Sequence, residues 1–250
     1  MNTNDTLDAS RPERRRARAT PAGRLRALGV AVALLAAALV VSTLFAVLVL
    51  LTLRPTSEAD PVGLVALAVA GQFGLLAVGL GYVRRWLPDV RVAVPTRREL
   101  GTTLLAVVVM LVAATGLGAV VSRLFPDVGS VFDGLAATPA LLLVLAVVSV
   151  LLVAPAEELL FRGAIQGRLR RSFGPVASVV GASALFASVH LVNYTGPLPG
   201  VLGFVAVVGA VSLVLGWLYE HTGNLAAPVL AHGLYNAVLF LAGYVVLAGL

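Results

Sequence analysis

Residues 139–163 read PALLLVLAVVSVLLVAPAEELLFRG, an apolar run from near Leu141 that closes on two adjacent carboxylates, Glu157 and Glu158, and a cation, Arg162. Its length is about the 20 residues a helix needs to cross a bilayer. An ionisable side chain at the centre of such a helix costs roughly 2.5 to 3.5 kcal/mol on insertion scales, so charges at its inner end mark a functional site by default. On a helix Glu158 and Arg162 stand four residues apart on one face, with the carboxylate on the N-terminal side, the favourable order for a pair. Glu157 then points elsewhere and is left free for chemistry. Taken alone, the three charges equally suit interfacial residues that mark where a span ends.

The rest of the chain is as apolar. Of 250 residues 59% are hydrophobic and 12% charged, and a mean hydropathy of +0.99 lies far from soluble composition. The chain reads as an all-α, polytopic membrane helix bundle. It has no cysteine, which excludes disulfides, thiolate metal sites and cysteine nucleophiles. All 18 basic residues are arginine, in keeping with a GC-rich bacterial genome. The net charge of +6 does not call for nucleic acid, because the arginines flank apolar runs, where they set orientation.

Residues 1–27, with seven arginines and two prolines, read as a disordered cytosolic tail. Seven apolar runs follow: Leu28 to Leu53, Pro61 to Val83, Gly101 to Val121, Pro139 to Leu160, Val176 to Val192, Val201 to Tyr219 and Leu225 to Leu250. They divide into N-terminal transmembrane helices over 28–136 and a catalytic core over 137–250. Arginines number seven in the tail, then one, five, one and four in the connections that follow, sixteen against two on alternate sides. The positive-inside rule therefore predicts a multi-pass cell-membrane protein with a cytoplasmic amino terminus and its carboxyl terminus outside.

Strongly polar residues are sparse in the spans and fall late. Phe186 and His190 lie four apart in the fifth run, and His232 and Asn236 share one helical face in the seventh. Each alone suits polar glue between helices. Together with Glu157, Glu158 and Arg162 they form a hydrolytic inventory: a carboxylate to take a proton from water, a histidine to position that water, and donors for an oxyanion.

At this point the chain resembles the CAAX prenyl protease and bacteriocin-processing (CPBP, or Abi) family of intramembrane endopeptidases. The motifs Glu-Glu-x-x-x-Arg, Phe-x-x-x-His and His-x-x-x-Asn stand in order at Glu157-Glu158 to Arg162, Phe186 to His190, and His232 to Asn236. The resemblance, over roughly residues 137–245, implies Glu157 as general base with His190 sharing its water. It implies Glu158 and Arg162 as the supporting pair, and His232 and Asn236 as the oxyanion donors. It also implies a peptide or protein substrate, in some relatives lipidated. A zinc site of one glutamate and two histidines is the other mechanism the residue types permit. Since any carboxylates behind those histidines would be the same glutamates, the metal-free reading is preferred and no cofactor is required.

Two geometric expectations follow. Water must reach the site, so a cavity open to the cytosol is needed. For His190, near the far end of its span, to meet Glu157, the fourth helix must continue past Arg162 towards Arg170, and the fifth must begin late or tilt. Serine and aspartyl intramembrane chemistries lack their signatures here, as does His-Glu-x-x-His. A proton-coupled transporter or a non-catalytic immunity or scaffold protein stays open as an alternative. Gln72 is noted without a role, His221 as a solvent-facing turn residue, Tyr235 as packing, and Asn193 and Tyr194 as loop residues.

Overall fold

The computed structural model describes residues 20–53, 61–131, 133–134 and 138–250. Seven helices there are long and apolar enough to cross a membrane: α1 (Pro21–Leu53), α2 (Pro61–Trp86), α3 (Arg97–Leu124), α4 (Ala140–Arg170), α5 (Pro175–Val189), α6 (Leu198–Thr222) and α7 (Ala226–Ala248). This is the multi-pass helical bundle that the seven apolar runs predict. Large apolar side chains such as Leu48, Leu51, Val112, Val147, Leu151 and Val246 are exposed on its outside, where lipid rather than water is the expected neighbour.

Helix ends follow local chemistry more than hydropathy. α1 starts seven residues before the apolar run: the Thr20 hydroxyl accepts the Gly23 N–H at 3.2 Å, and Pro21 takes a first-turn position where its missing N–H costs nothing. Residues 21–27 therefore belong to the helix and not to the tail, with Ala27 fully buried. Residues 1–19 lie outside the described residues. α3 opens on a reciprocal cap. The Thr96 hydroxyl accepts the Glu99 N–H at 3.2 Å, and the Glu99 carboxylate accepts the Thr96 N–H at 2.7 Å.

α4 carries the site, and it is not a uniform helix. It is α-helical over Ala140–Val148, widens to π turns over Ser149–Val153, returns to α over Ala154–Glu158, and widens again over Leu159–Gln166 before a last α turn, Gly167–Arg170. Pro155 explains the first widening: it has no N–H to give, and in an α turn its ring would press on the carbonyl four residues back. Instead the N–H of Ala154 reaches the Ser149 carbonyl, five residues back. The two wide stretches bracket Glu157 and Glu158, the position in which such turns are often found at functional sites.

α1 lies along α2, while α4 threads between α2, α5 and α7. α6 packs on α5 and α3, and α3 backs α6 and α7 away from the glutamates. Small residues permit the close approaches. A Cβ on Gly233 would stand 3.1 Å from the Val150 Cα, and one on Gly79 would stand 3.0 Å from the Leu160 backbone N. These two contacts bring α7 and α2 against the bent part of α4.

The antiparallel run of helices gives the bundle two unlike ends. At one, the start of α1 meets the α2–α3, α4–α5 and α6–α7 connections. Asn224, fully buried, donates to the Ala93 carbonyl at 3.0 Å and accepts the Ala93 N–H at 3.1 Å, while the Leu225 N–H donates to the Arg91 carbonyl at 2.9 Å. Arg170 pairs with Glu220 at 3.0 Å. At the other end a two-residue strand β1 (Gly129–Ser130) pairs antiparallel with β2 (Tyr194–Thr195), tying the α3–α4 connection to the α5–α6 connection.

Candidate active site

Glu158 and Arg162 form the pair that helical spacing predicts. The Arg162 Nε donates to Glu158 Oε2 at 2.9 Å, with both side chains fully buried. Burying two charges is costly unless the remaining polar atoms are also engaged, and most of them are. The other carboxylate oxygen, Oε1, accepts from His232 Nδ1 at 2.9 Å. Arg162 Nη2 donates to the Ser212 hydroxyl at 2.8 Å, and the guanidinium lies over the Phe186 ring, 5.4 Å from its centroid. Glu158 thus has both oxygens occupied and holds α4 to α7, while Arg162 holds α4 to α6.

Glu157, next in the chain, faces a cavity of about 560 Å³. Its Oε1 accepts from Gln72 Nε2 at 3.4 Å, and its Oε2 stands 3.8 Å from His232 Nε2. The second gap is too long for a direct hydrogen bond and suits a bridging water. His190 and Asn236 line the same cavity, Asn236 one turn beyond His232 on α7. His190 sits where α5 gives way to the 3-10 turn His190–Asn193. Its Nδ1 donates to the Phe186 carbonyl at 2.8 Å, which in a neutral ring leaves Nε2 as a proton acceptor. Phe186 is the common wall, with ring centroids 4.6 Å from His190, 5.9 Å from His232 and 4.9 Å from Phe161.

The six residues singled out by sequence therefore gather at one place, and α4 does continue to Arg170 as their meeting requires. α5 begins at Pro175 without delay, so the length of α4 does most of the work. The opening differs from expectation. From Glu157 the cavity runs past Ser149 and Leu145 of α4, Leu239 and Phe240 of α7, and Asn193 and Tyr194 beyond α5. That leads away from the arginine-bearing end on which a cytosolic mouth was expected. The reason is packing: Phe161, Arg162, Ile165, Gln166 and Leu169 are each no more than 1% exposed and fill the bundle on the arginine side.

Sequence reasoning passed over five contributors. Gln72 and Ser212 touch the charged residues directly, yet a lone amide or hydroxyl in an apolar helix gives no hint of its partner. Tyr235, Asn193 and Tyr194, read as packing and loop residues, also line the cavity. His221 is exposed, in keeping with its reading, but lies in the last turn of α6 rather than in a connecting turn, and stacks on Trp217 with ring centroids 5.0 Å apart. As for zinc, no group of three or more His, Asp or Glu among the described residues is arranged to hold a metal ion.

Residues 139–238 match the family model described as type II CAAX prenyl endopeptidase Rce1-like. Over that segment, less than half of the chain, the sequence is similar to this family. The matched segment begins at the foot of α4 and ends just past Asn236, so it takes in every residue of the constellation. The chain is also 41% identical over 88 residues to a Bacillus subtilis (strain 168) protein, "Uncharacterized protein YpbD"; the match covers 35% of this chain and 40% of that one. No solved structure matches it.

Proposed function

We propose that the protein is an intramembrane endopeptidase that hydrolyses a peptide bond of a membrane-associated polypeptide with water activated by Glu157. The observation that carries this reading is the division of labour between adjacent carboxylates. Glu158 is saturated by Arg162 and His232, whereas Glu157 stands at the floor of a cavity shared with His190, His232 and Asn236. The match to a CAAX-type endopeptidase model over residues 139–238 supports a protease, and the roles that follow are read from the geometry.

Glu157 accepts a proton from a water held also by His190 Nε2. The water oxygen forms a bond to the carbonyl carbon, and the carbonyl oxygen takes the charge. The Asn236 amide donates to that oxyanion from the α7 wall, and His232, whose Nδ1–H is held by Glu158, adds a second donor from Nε2 in its imidazolium form. As the carbon–nitrogen bond breaks, the proton on Glu157 passes to the departing amine. Each step uses side chains of this chain alone.

The test is cleavage of a quenched-fluorescent peptide library by detergent-purified protein, wild type beside Glu157→Gln, with and without a strong zinc chelator. The expected outcome is cleavage by wild type that survives the chelator and is lost in the variant. Equal activity of both proteins would remove Glu157 as the base, and loss of activity with chelator would replace the water mechanism with a metal one.

A further inference from the structure

The cavity has a direction, and the charge of the chain has one too. Measured from Glu157, its lining climbs towards the end where β1 and β2 pair: Leu145 lies three turns back along α4, Phe240 two turns on along α7, and Asn193 and Tyr194 follow the last turn of α5. In the opposite direction the bundle is solid through Phe161, Ile165, Gln166 and Leu169. Gln166 is held across the gap to α6, donating to the Gly216 carbonyl and to Glu220, each at 3.1 Å. Beyond this plug lie Arg84, Arg85, Arg91, Arg97, Arg98, Arg168, Arg170 and Arg171, and by sequence the arginine-rich amino terminus. Between helices on the open side the sequence has only Arg54 and Arg123.

Arginine-rich connections stay in the cytoplasm, so the plugged end is cytoplasmic and the open end is not. We propose that the site is served from the non-cytoplasmic side, and that its substrate is a membrane-inserted polypeptide whose scissile segment lies in the outer half of the bilayer. A lipidated carboxyl terminus arriving from the cytosol would meet the plug. The cavity wall suits a mostly apolar segment: Leu35 and Leu39 of α1, Leu75 of α2 and Val189 of α5 line it, with Ser42, Ser149 and Tyr235 the polar groups along its length. α1 leans on α2 and α4 rather than on α5, and Leu39 is 45% exposed, so the seam between α1 and α5 offers entry from lipid. The substrate part of this proposal rests on the protease reading above; the sidedness does not.

Because the chain has no cysteine, single cysteines can report each face. Asn193→Cys stands at the mouth, Leu198→Cys on the exposed start of α6 at the same end, and Arg171→Cys at the plugged end. A membrane-impermeant maleimide applied to intact spheroplasts is expected to label the first two, and the third after permeabilisation. The reverse pattern overturns the proposal, and Leu198→Cys keeps the readout if Asn193→Cys does not fold. Vesicles of both orientations, given a membrane-inserting fluorogenic peptide from outside, complete the test. Cleavage by right-side-out vesicles is expected, blocked when Asn193→Cys carries maleimide, and cleavage by inside-out vesicles alone overturns the assignment. The expected labelling with no cleavage at either face, wild type matching Glu157→Gln, would overturn the substrate assignment and the protease reading together while the sidedness stands.

Discussion

Glu157 and Glu158 are chemically identical neighbours made different by what surrounds them. Glu158 is bound on both oxygens inside a dry core, so deleting one partner strands a charge, at a cost of about 3–5 kcal/mol. Arg162→Ala is therefore expected to lower the unfolding temperature in detergent sharply, read by thermal melting. Glu157 borders the cavity and makes one long bond, to Gln72. Glu157→Gln is expected to leave the melting curve in place and reduce peptide cleavage by about 100- to 10,000-fold, the range for loss of a general base. Gln72→Leu keeps the base but frees its orientation. It should lower kcat by about tenfold with little change in KM or melting, and recovery by Gln72→Asn would mark it as a positioning residue.

At the scale of the helix, the decisive feature is the irregularity of α4. Wide turns bracket Ala154–Glu158, in which one carboxylate faces the α7–α6 core and its neighbour the cavity, and Gly233 lets α7 come close enough for His232 to reach Glu158. A side chain at Gly233 would meet the Val150 backbone, which cannot swing aside as a side chain can. Gly233→Val should push α7 off α4, and because a misplacement of about 1 Å can cost 100-fold, cleavage should fall at least that far. Gly118→Val, with open space around its Cβ position, should be near neutral in the same assay. The pairing of Glu158 with Arg162 was legible from spacing alone. The π turns were not, since Pro155 signals a disturbance in the helix but not how it resolves.

For the whole molecule, depth is set by contacts between distant connections. Asn224 bridges to Ala93 across 131 residues of chain, fixing where α7 starts and hence how deep His232 and Asn236 lie. Asn224→Ala would leave the half-buried N–H and carbonyl of Ala93 without their partner, at a cost of up to about 1–3 kcal/mol each. The expected result is lower thermal stability, and faster hydrogen exchange at the start of α7 by mass spectrometry. The number of spans, their alternation and the arginine asymmetry needed only composition and order along the chain. Lipid demands runs of about 20 apolar residues whatever their partners, and charge near their ends acts locally. The sequence by itself also named the six polar residues, because an ionisable or amide side chain is conspicuous in an apolar helix. The hold of His232 on Glu158, the part played by Gln72 and Ser212, and the end towards which the cavity runs were decided by the tertiary structure alone. Those are outcomes of packing between helices far apart in sequence, where a single amide or a plug of ordinary Phe, Ile and Leu residues carries no local signal.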